Sequence, residues 1–152
     1  MKKILPCATL LALTFAASNV LAAGPALSNK ERLGKRLYNS RELSWEGTQS
    51  CATCHHKNFG FADPTNARDP YHTFVSLGDN QVSKGGRNAP TSAYCGFSPI
   101  FGLNTDGEYE GGMFWDGRAT GETLDDPLAE QAQGPPLNPV EMNMPDKQTI
   151  ID

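Results

Sequence analysis

Five consecutive residues decide the fold of this chain: Cys51-Ala52-Thr53-Cys54-His55. They match C-x-x-C-H, the attachment signature of c-type haem. Two cysteines three positions apart lie near one edge of a helical turn, where their sulfurs can add to the two vinyl groups of the porphyrin. The imidazole that follows then projects beneath the iron. The sequence therefore predicts one covalent haem c, held by Cys51 and Cys54, with His55 as the proximal iron ligand.

Two other uses of a close cysteine pair fit this sequence less well. A thioredoxin-like redox pair needs a βαβ setting, and no such pattern surrounds the motif. A structural zinc site needs four ligands at paired spacings, and the sequence contains no second C-x-x-C. Three cysteines follow residue 22, namely Cys51, Cys54 and Cys95, and an odd number argues against a disulfide scaffold.

The N-terminal residues decide the compartment. Two lysines form a basic start, an apolar stretch runs over residues 4–17, and Val20-Leu21-Ala22 offers a cleavage site after its last residue. The apolar run is shorter than the roughly 20 residues that a membrane span requires. We therefore predict a signal peptide over residues 1–22, a single domain over residues 23–152, a periplasmic location and no membrane span.

Charge is distributed unevenly after the signal segment. Without the two lysines of that segment, 11 basic and 17 acidic residues remain, a net charge of −6. Residues 23–100 carry +3, whereas residues 101–152 carry −9. No basic run with interleaved aromatic residues occurs, so nucleic acid is not expected as a partner. The acidic half suits either a solvated surface or the steering of a small basic redox protein.

Helical signals are short and few. Ser28-Asn29-Lys30-Glu31 fits a capping box that begins a helix over residues 29–38. Asp126-Pro127 predicts the start of another short helix and Gly134-Pro135 predicts its end. Residues 145–151 resemble the start of a further helix.

The segment from Phe59 to Pro99 is rich in Gly, Pro, Asn and Asp and shows no sustained hydrophobic period. An irregular segment of this length is unusual in a compact domain unless it wraps a ligand, and a haem would supply the missing core. Strand signals are weak throughout. We predict a mainly α, cytochrome c-like haem domain with long irregular loops.

The sequence leaves a second axial iron ligand open. His56 adjoins the proximal residue and points elsewhere on a helix, so His72 is the only remaining candidate for a second imidazole. Met113, Met142 or Met144 could offer a thioether, the pairing that raises the potential of electron-transfer cytochromes. Ordinary packing or a loop position is the alternative for each of them.

Four blocks resemble bacterial di-haem cytochrome c peroxidases and the related MauG enzymes. They are residues 33–50, Gly85-Gly86-Arg87-Asn88-Ala89-Pro90-Thr91, Phe114-Trp115-Asp116-Gly117-Arg118-Ala119 and Asn138-Pro139-Val140-Glu141-Met142. The resemblance implies the N-terminal, peroxidatic haem domain of such an enzyme. This domain would reduce hydrogen peroxide with electrons from a small cytochrome c or cupredoxin, whereas a MauG-like member would oxidise a protein partner.

The resemblance also implies roles for individual residues. Glu141 matches the glutamate over the open face of the haem, and Gln131 matches the glutamine beside it. Heterolytic cleavage of hydrogen peroxide needs a proton moved from the inner to the outer oxygen, which a carboxylate in a partly apolar pocket can perform. An amide can hold the peroxide without competing for that proton. Pro135 resembles a pocket residue that controls access.

The resemblance implies roles for three further residues. Trp115 resembles the tryptophan that carries electrons or holes between the two haems, and a position as a buried aromatic anchor is compatible with that role. Arg118 would pair with a haem propionate, whose carboxylate suits guanidinium geometry. Asn88 matches a calcium ligand at the interface with the second haem domain.

The sequence departs from the family pattern in two ways. Typical members place a distal histidine shortly before the Arg-Asn-Ala-Pro block, whereas residues 78–83 read Gly-Asp-Asn-Gln-Val-Ser. This favours a five-coordinate iron, as in MauG-like members, and His72 could substitute only by a different loop path. Members also carry a second haem domain, so we expect this chain to be the N-terminal part of a longer protein. A non-catalytic monohaem electron carrier and a gas-sensing module are the alternative functions.

Overall fold

The structure is a computed structural model that describes residues 25–151. Most of this range is loop and turn, with a few short helices and very little sheet. The predicted signal peptide lies outside the described residues. The α-helices within the described range are α1 (Asn29–Asn39), α2 (Cys51–Cys54), α3 (Pro64–Arg68), α4 (Pro127–Ala132), α5 (Gly134–Leu137) and α6 (Lys147–Ile151). No helix in residues 25–151 has the length and apolar composition needed to cross a membrane.

Helix α1 begins at the predicted capping box. The Ser28 hydroxyl accepts from the backbone N–H of Glu31 over 3.3 Å, and the Glu31 carboxylate accepts from the backbone N–H of Ser28 over 2.7 Å. Two N–H groups that a helix start leaves unpaired are thereby satisfied. The predicted helix over residues 29–38 is confirmed and extends one residue further, to Asn39.

The long segment between Phe59 and Pro99 is less irregular than predicted. Helix α3 begins where the Asp63 carboxylate accepts from the N–H groups of Thr65 (2.7 Å) and Asn66 (3.2 Å), with proline in the first turn. A 3-10 turn follows at Cys95–Phe97. The prediction of no regular structure is therefore wrong for these residues, because elements of five and three residues are too short to create a hydrophobic period.

Helix α4 starts as predicted, with Asp126 accepting from the N–H groups of Leu128 (2.9 Å) and Ala129 (3.1 Å). The predicted end is wrong in detail. Gly134-Pro135 does not close this helix but begins α5. Proline lacks an N–H and has a helical φ, so it suits the first turn of a new helix as well as the end of a preceding one.

The described sheet is a single hairpin. β1 (Gly102–Leu103) pairs antiparallel with β2 (Tyr109–Glu110), with Gly102 opposite Glu110. Asn104 closes the turn, because its side-chain oxygen accepts from the N–H groups two and four residues later. At the C-terminal end, α6 confirms the predicted helix start near residue 145.

Apolar side chains contribute little to the interior of this chain. In the described range, the buried apolar side chains are Ala119, Pro127, Met142 and Met144, and the largest fully buried side chain is that of Asp79. Burial of apolar surface is the main stabilising term in folding, so four such residues are a very small core. The elements instead surround a cavity.

Candidate functional site

The cavity has a volume of about 570 Å³, a size typical of cofactor and small-molecule pockets. Its walls come from residues in α1 and in the segments 49–55, 76–77, 85–95, 113–118, 128–135 and 138–142. A more open depression beside α1 contains none of the candidate haem-binding, catalytic or metal-ligating residues. The candidate site therefore lies where the long loops meet the C-x-x-C-H motif.

Helix α2 is a single turn, and it brings the three motif side chains to one wall of the cavity. The backbone N–H of His55 donates to the carbonyl of Cys51 over 2.9 Å, which closes the turn. Ser50 precedes the turn, and its N–H donates to the hydroxyl of Thr53 over 3.0 Å. Cys51, Cys54 and His55 all line the cavity. The local geometry thus agrees with the spacing argument made from the sequence.

The imidazole of His55 is oriented by a backbone carbonyl. Its Nδ1 lies 3.2 Å from the carbonyl oxygen of Phe61, which can only accept, so Nδ1 carries the proton. The lone pair of the neutral ring is then on Nε2, where it can bind a metal. Phe61 adopts a left-handed backbone conformation with φ of 58°.

The two cysteines of the motif are partly buried thiols. Burial raises the pKa of Cys51, and burial raises the pKa of Cys54 to about 11. The negative charge of Glu141 acts in the same direction on both thiols, so this carboxylate lies within electrostatic reach of them. Neither cysteine is in a disulfide. The pair is therefore available as neutral thiols for addition to a double bond.

Glu141 and Gln131 line the same cavity as the motif. The Glu141 carboxylate accepts from the Asn138 side-chain amide over 2.8 Å. Burial raises the pKa of Glu141, and the hydrogen bond from Asn138 opposes this shift. Gln131 lies on α4, and within residues 25–151 its side-chain amide has no hydrogen-bond partner. Pro135, in α5, completes this part of the wall.

Trp115 stands at the edge of the cavity and is 64 % exposed. Its indole N–H donates to the carbonyl of Asn88 over 2.8 Å. Among the described residues Trp115 is therefore not a buried anchor, and its role in carrying electrons stays a prediction. The ring is fixed by one hydrogen bond and leaves a large apolar face on the surface.

Two arginines share one carboxylate beside Trp115. Arg118 donates to both oxygens of Asp116, over 3.0 and 2.8 Å, and its guanidinium lies 3.8 Å from the centre of the Phe114 ring. Arg87 donates to the same carboxylate over 2.9 Å. Burial would raise the pKa of Asp116, but the hydrogen bonds from Arg118 and Arg87 outweigh it and lower that pKa. Arg87 and Arg118 both line the cavity, and each is paired with the Asp116 carboxylate.

The structure does not bring His72 to the cavity. Its Nδ1 lies 2.8 Å from the Asp69 carboxylate, and its side chain is 81 % exposed. Of the three candidate methionines, Met113 and Met142 line the cavity and Met144 does not. The described residues therefore offer thioethers, but no second imidazole from His72, at this wall.

Asn88 lies at the cavity wall, and its side-chain amide donates to the carbonyl of Phe74 over 3.0 Å. Across residues 25–151, no three His, Cys, Asp or Glu side chains come together as a group that could hold a metal ion. The calcium role of Asn88 stays a prediction.

The wall residues to which the sequence assigned no individual role include Tyr38, Arg87, Ser92 and Asn138. Tyr38 belongs to the last turn of α1, where packing is the ordinary explanation for an aromatic residue. Its contacts depend on how the segment 85–92 returns to the motif, and no local pattern reveals that path. Asn138 lies three residues before Glu141, and this short spacing is the one sequence feature that could have indicated a contact between the two side chains.

Known proteins are similar to this chain over most of its length. The model of the di-haem cytochrome c peroxidase family matches residues 28–152. The methylamine utilization protein MauG of Paracoccus denitrificans is 43 % identical over 135 residues, which are 89 % of this chain and 33 % of MauG. Cytochrome c peroxidase Ccp of Escherichia coli is 36 % identical over 118 residues, which are 78 % of this chain and 20 % of Ccp.

A solved structure is similar as well. The diheme peroxidase BthA from Burkholderia thailandensis superposes with a TM-score of 0.66 and 32 % identity, over 79 % of this chain and 28 % of BthA. This chain thus spans about a third or less of the length of these relatives. Membership of the matched family implies c-type haem. The chain belongs to the di-haem cytochrome c peroxidase and MauG family.

Proposed function

We propose that residues 23–152 form the N-terminal, peroxidatic haem domain of a di-haem peroxidase, with a cytochrome c-like fold. One observation carries this proposal: a single cavity is lined both by Cys51, Cys54 and His55 and by Glu141 and Gln131. In the reaction, hydrogen peroxide accepts two electrons and two protons and leaves as two molecules of water.

The motif would hold one haem c. Each thiol of Cys51 and Cys54 would add across one vinyl double bond, so that a C–S and a C–H bond replace the S–H bond and the π bond without any change of oxidation state overall. Nε2 of His55 would bind the iron, since Nδ1 donates to the Phe61 carbonyl. The cavity volume, the neutral thiols and the scarcity of buried apolar side chains all suit this group. When bound, haem supplies an iron centre that exchanges electrons during cleavage of the O–O bond.

The chain's own residues would handle the protons of the reaction. Glu141 moves a proton from the inner to the outer oxygen of hydrogen peroxide, and its partly buried position suits an acid–base group of raised pKa. Gln131 holds the peroxide through its unpaired amide. Pro135 narrows access to the same wall. Asn138 keeps the Glu141 carboxylate in place through its 2.8 Å hydrogen bond.

Electrons would arrive from outside the cavity. Trp115 spans the cavity edge and the surface, so it suits transfer from a second haem domain. A small cytochrome c or cupredoxin would reduce that domain. In a MauG-like variant, the electrons would come from a protein partner, which becomes oxidised in the reaction. Arg118 would pair with a haem propionate, and Asn88 would contribute to a calcium site at the domain interface. Residues 1–22 would direct the protein to the periplasm.

The visible spectrum of the ferric protein tests this proposal. The full chain is produced in a host that matures c-type cytochromes, and hydrogen peroxide and cyanide are added. High-spin bands that shift with both ligands are expected, because an open iron face is required for peroxide reduction. A colourless protein without covalently bound haem would refute the proposal, and so would a low-spin spectrum indifferent to both ligands.

The second candidate function is a non-catalytic monohaem electron carrier. It is favoured by Met113 and Met142, which line the cavity and could offer a thioether to the iron. His/Met ligation gives a low-spin iron of raised potential with no open position. The same spectrum therefore separates the carrier from the peroxidase.

A further inference from the structure

His55 belongs to a closed ring of hydrogen bonds with Tyr38, Ser92 and Phe61. The Tyr38 hydroxyl lies 2.6 Å from the backbone carbonyl of His55 and 3.0 Å from the Ser92 hydroxyl. The backbone N–H of Ser92 donates to the carbonyl of Phe61 over 3.0 Å. That same carbonyl accepts from Nδ1 of His55 over 3.2 Å. The ring joins the end of α1, the motif and the 85–92 loop.

The direction of each bond follows from the donors available. A carbonyl only accepts, so the Tyr38 hydroxyl gives its single proton to His55. The Ser92 hydroxyl must then donate to the Tyr38 oxygen. The two lone pairs of the Phe61 carbonyl serve two donors, the backbone of Ser92 and the imidazole of His55.

We propose that Tyr38 and Ser92 are positioning residues for His55, and that they set how strongly its imidazole binds the haem iron. This inference rests on the proposed function, because it requires haem with His55 as ligand. Partners that hold the second nitrogen of a metal-bound histidine fix its ring and raise its basicity. Here the Phe61 carbonyl is that partner, and the hydrogen bond that it accepts from Ser92 weakens the one that it accepts from His55.

Loss of the Tyr38 hydroxyl has a predictable sign. Without it, the Ser92 segment is held less firmly and donates less to Phe61. The Phe61 oxygen then accepts more strongly from His55, and a more electron-rich imidazole favours ferric over ferrous iron. The Thr91 hydroxyl still donates to the carbonyl of Gly60, which keeps the segment near and limits the effect.

The test uses the haem-loaded full chain. Tyr38→Phe is compared with wild type by redox titration and by the iron–imidazole stretching band of the ferrous form in resonance Raman spectra. At a fixed solution potential, we expect the ratio of ferric to ferrous protein to rise by about threefold to tenfold. A tenfold rise corresponds to a reduction potential lower by about 59 mV. The stretching band should move to higher frequency. Tyr71→Phe, at an exposed tyrosine, is the matched control and should match wild type in both measurements.

Ser92→Ala tests the same inference independently, in case the Tyr38→Phe variant does not accumulate as folded protein. It removes the hydroxyl and keeps the backbone N–H, so a smaller shift of the same sign is expected, and Ser92→Thr should restore the wild-type potential. An unchanged or raised potential in both Tyr38→Phe and Ser92→Ala overturns the inference alone. A wild-type chain that lacks covalent haem, or lacks the iron–imidazole band, overturns the proposed function and the inference with it.

Discussion

The backbone N–H of Asp79 donates to the backbone carbonyl of Glu141 over 2.7 Å. Asp79 is itself 1 % exposed, and its carboxylate accepts from the backbone N–H of Glu46 over 3.1 Å. The Gln49 side chain also holds this segment, by donating to the carbonyls of Leu77 (2.9 Å) and Gly78 (3.1 Å). Residues 78–83, where typical family members carry a distal histidine, are therefore anchored at their start. The anchor is a hydrogen bond to Glu141, the candidate acid–base residue.

This contact makes Gly78 sensitive to substitution. A Cβ at Gly78 would lie 2.8 Å from the carbonyl oxygen of Val140, a backbone atom that cannot move alone. We expect Gly78→Ala to lower the free energy of unfolding by about 1–3 kcal/mol, as overpacking does. It should also slow cyanide binding, because Glu141 shifts with its neighbour. Denaturant unfolding and stopped-flow absorbance measure both effects. Gly96→Ala, where a Cβ meets nothing within 4 Å, is the control.

The cysteine pair should account for all covalently bound haem. Cys51→Ser and Cys54→Ser are each expected to retain one thioether, and the double variant should lose haem once it is denatured. Intact-mass measurement on the denatured chain reads this directly. Cys95→Ser should keep the full haem mass, since the Cys95 thiol donates to the Thr91 carbonyl over 3.4 Å and belongs to no attachment motif. Haem still bound covalently to the double variant would exclude the assigned attachment.

Glu141 should control the rate of the peroxide reaction. Glu141→Gln keeps the shape and the contact with Asn138 but cannot take up and release the proton. We expect the second-order rate constant with hydrogen peroxide to fall by about 10² to 10⁴, the usual contribution of an acid–base group. Stopped-flow absorbance of the haem-loaded chain measures it. Glu122→Gln, at an exposed glutamate, should react like wild type. An equal rate in both variants would remove Glu141 from the mechanism.

Local chemistry predicted the parts of the fold that depend on adjacent residues. The capping residues Ser28 and Asp126 begin helices as expected, because each satisfies N–H groups within three residues of itself. The helical turn over Cys51–Cys54 follows equally from its own motif. These features need no knowledge of the remaining chain.

Features that depend on distant segments were not predictable. The exposure of Trp115 depends on what packs beside it, and the ring around His55 depends on a loop that returns about 40 residues later. Family resemblance, not physical pattern, singled out Glu141 and Gln131. The structure places them in the same cavity as the motif, and their roles stay predictions.

The final prediction concerns acid stability and the loop that precedes α4. The Glu130 carboxylate accepts from three backbone N–H groups, those of Gly121 (2.9 Å), Thr123 (2.7 Å) and Leu124 (3.0 Å). These bonds, led by that from Gly121, lower the pKa of Glu130 from its ordinary value of 4.5. Because the folded chain binds this proton less readily than the unfolded chain, Glu130 stabilises the fold above its ordinary pKa. That stabilisation is lost as the pH falls through the lowered value.

Glu130→Gln should therefore unfold at lower denaturant concentration than wild type near neutral pH, since an amide offers one acceptor oxygen where the carboxylate offers two. The difference should shrink as the pH falls below 4.5 and vanish once Glu130 is protonated in the folded chain. Denaturant titrations of the haem-loaded protein across this range provide the measurement, with Glu122→Gln as the matched control. A gap that stays constant with pH would mean that Glu130 acts through its shape and not through its charge.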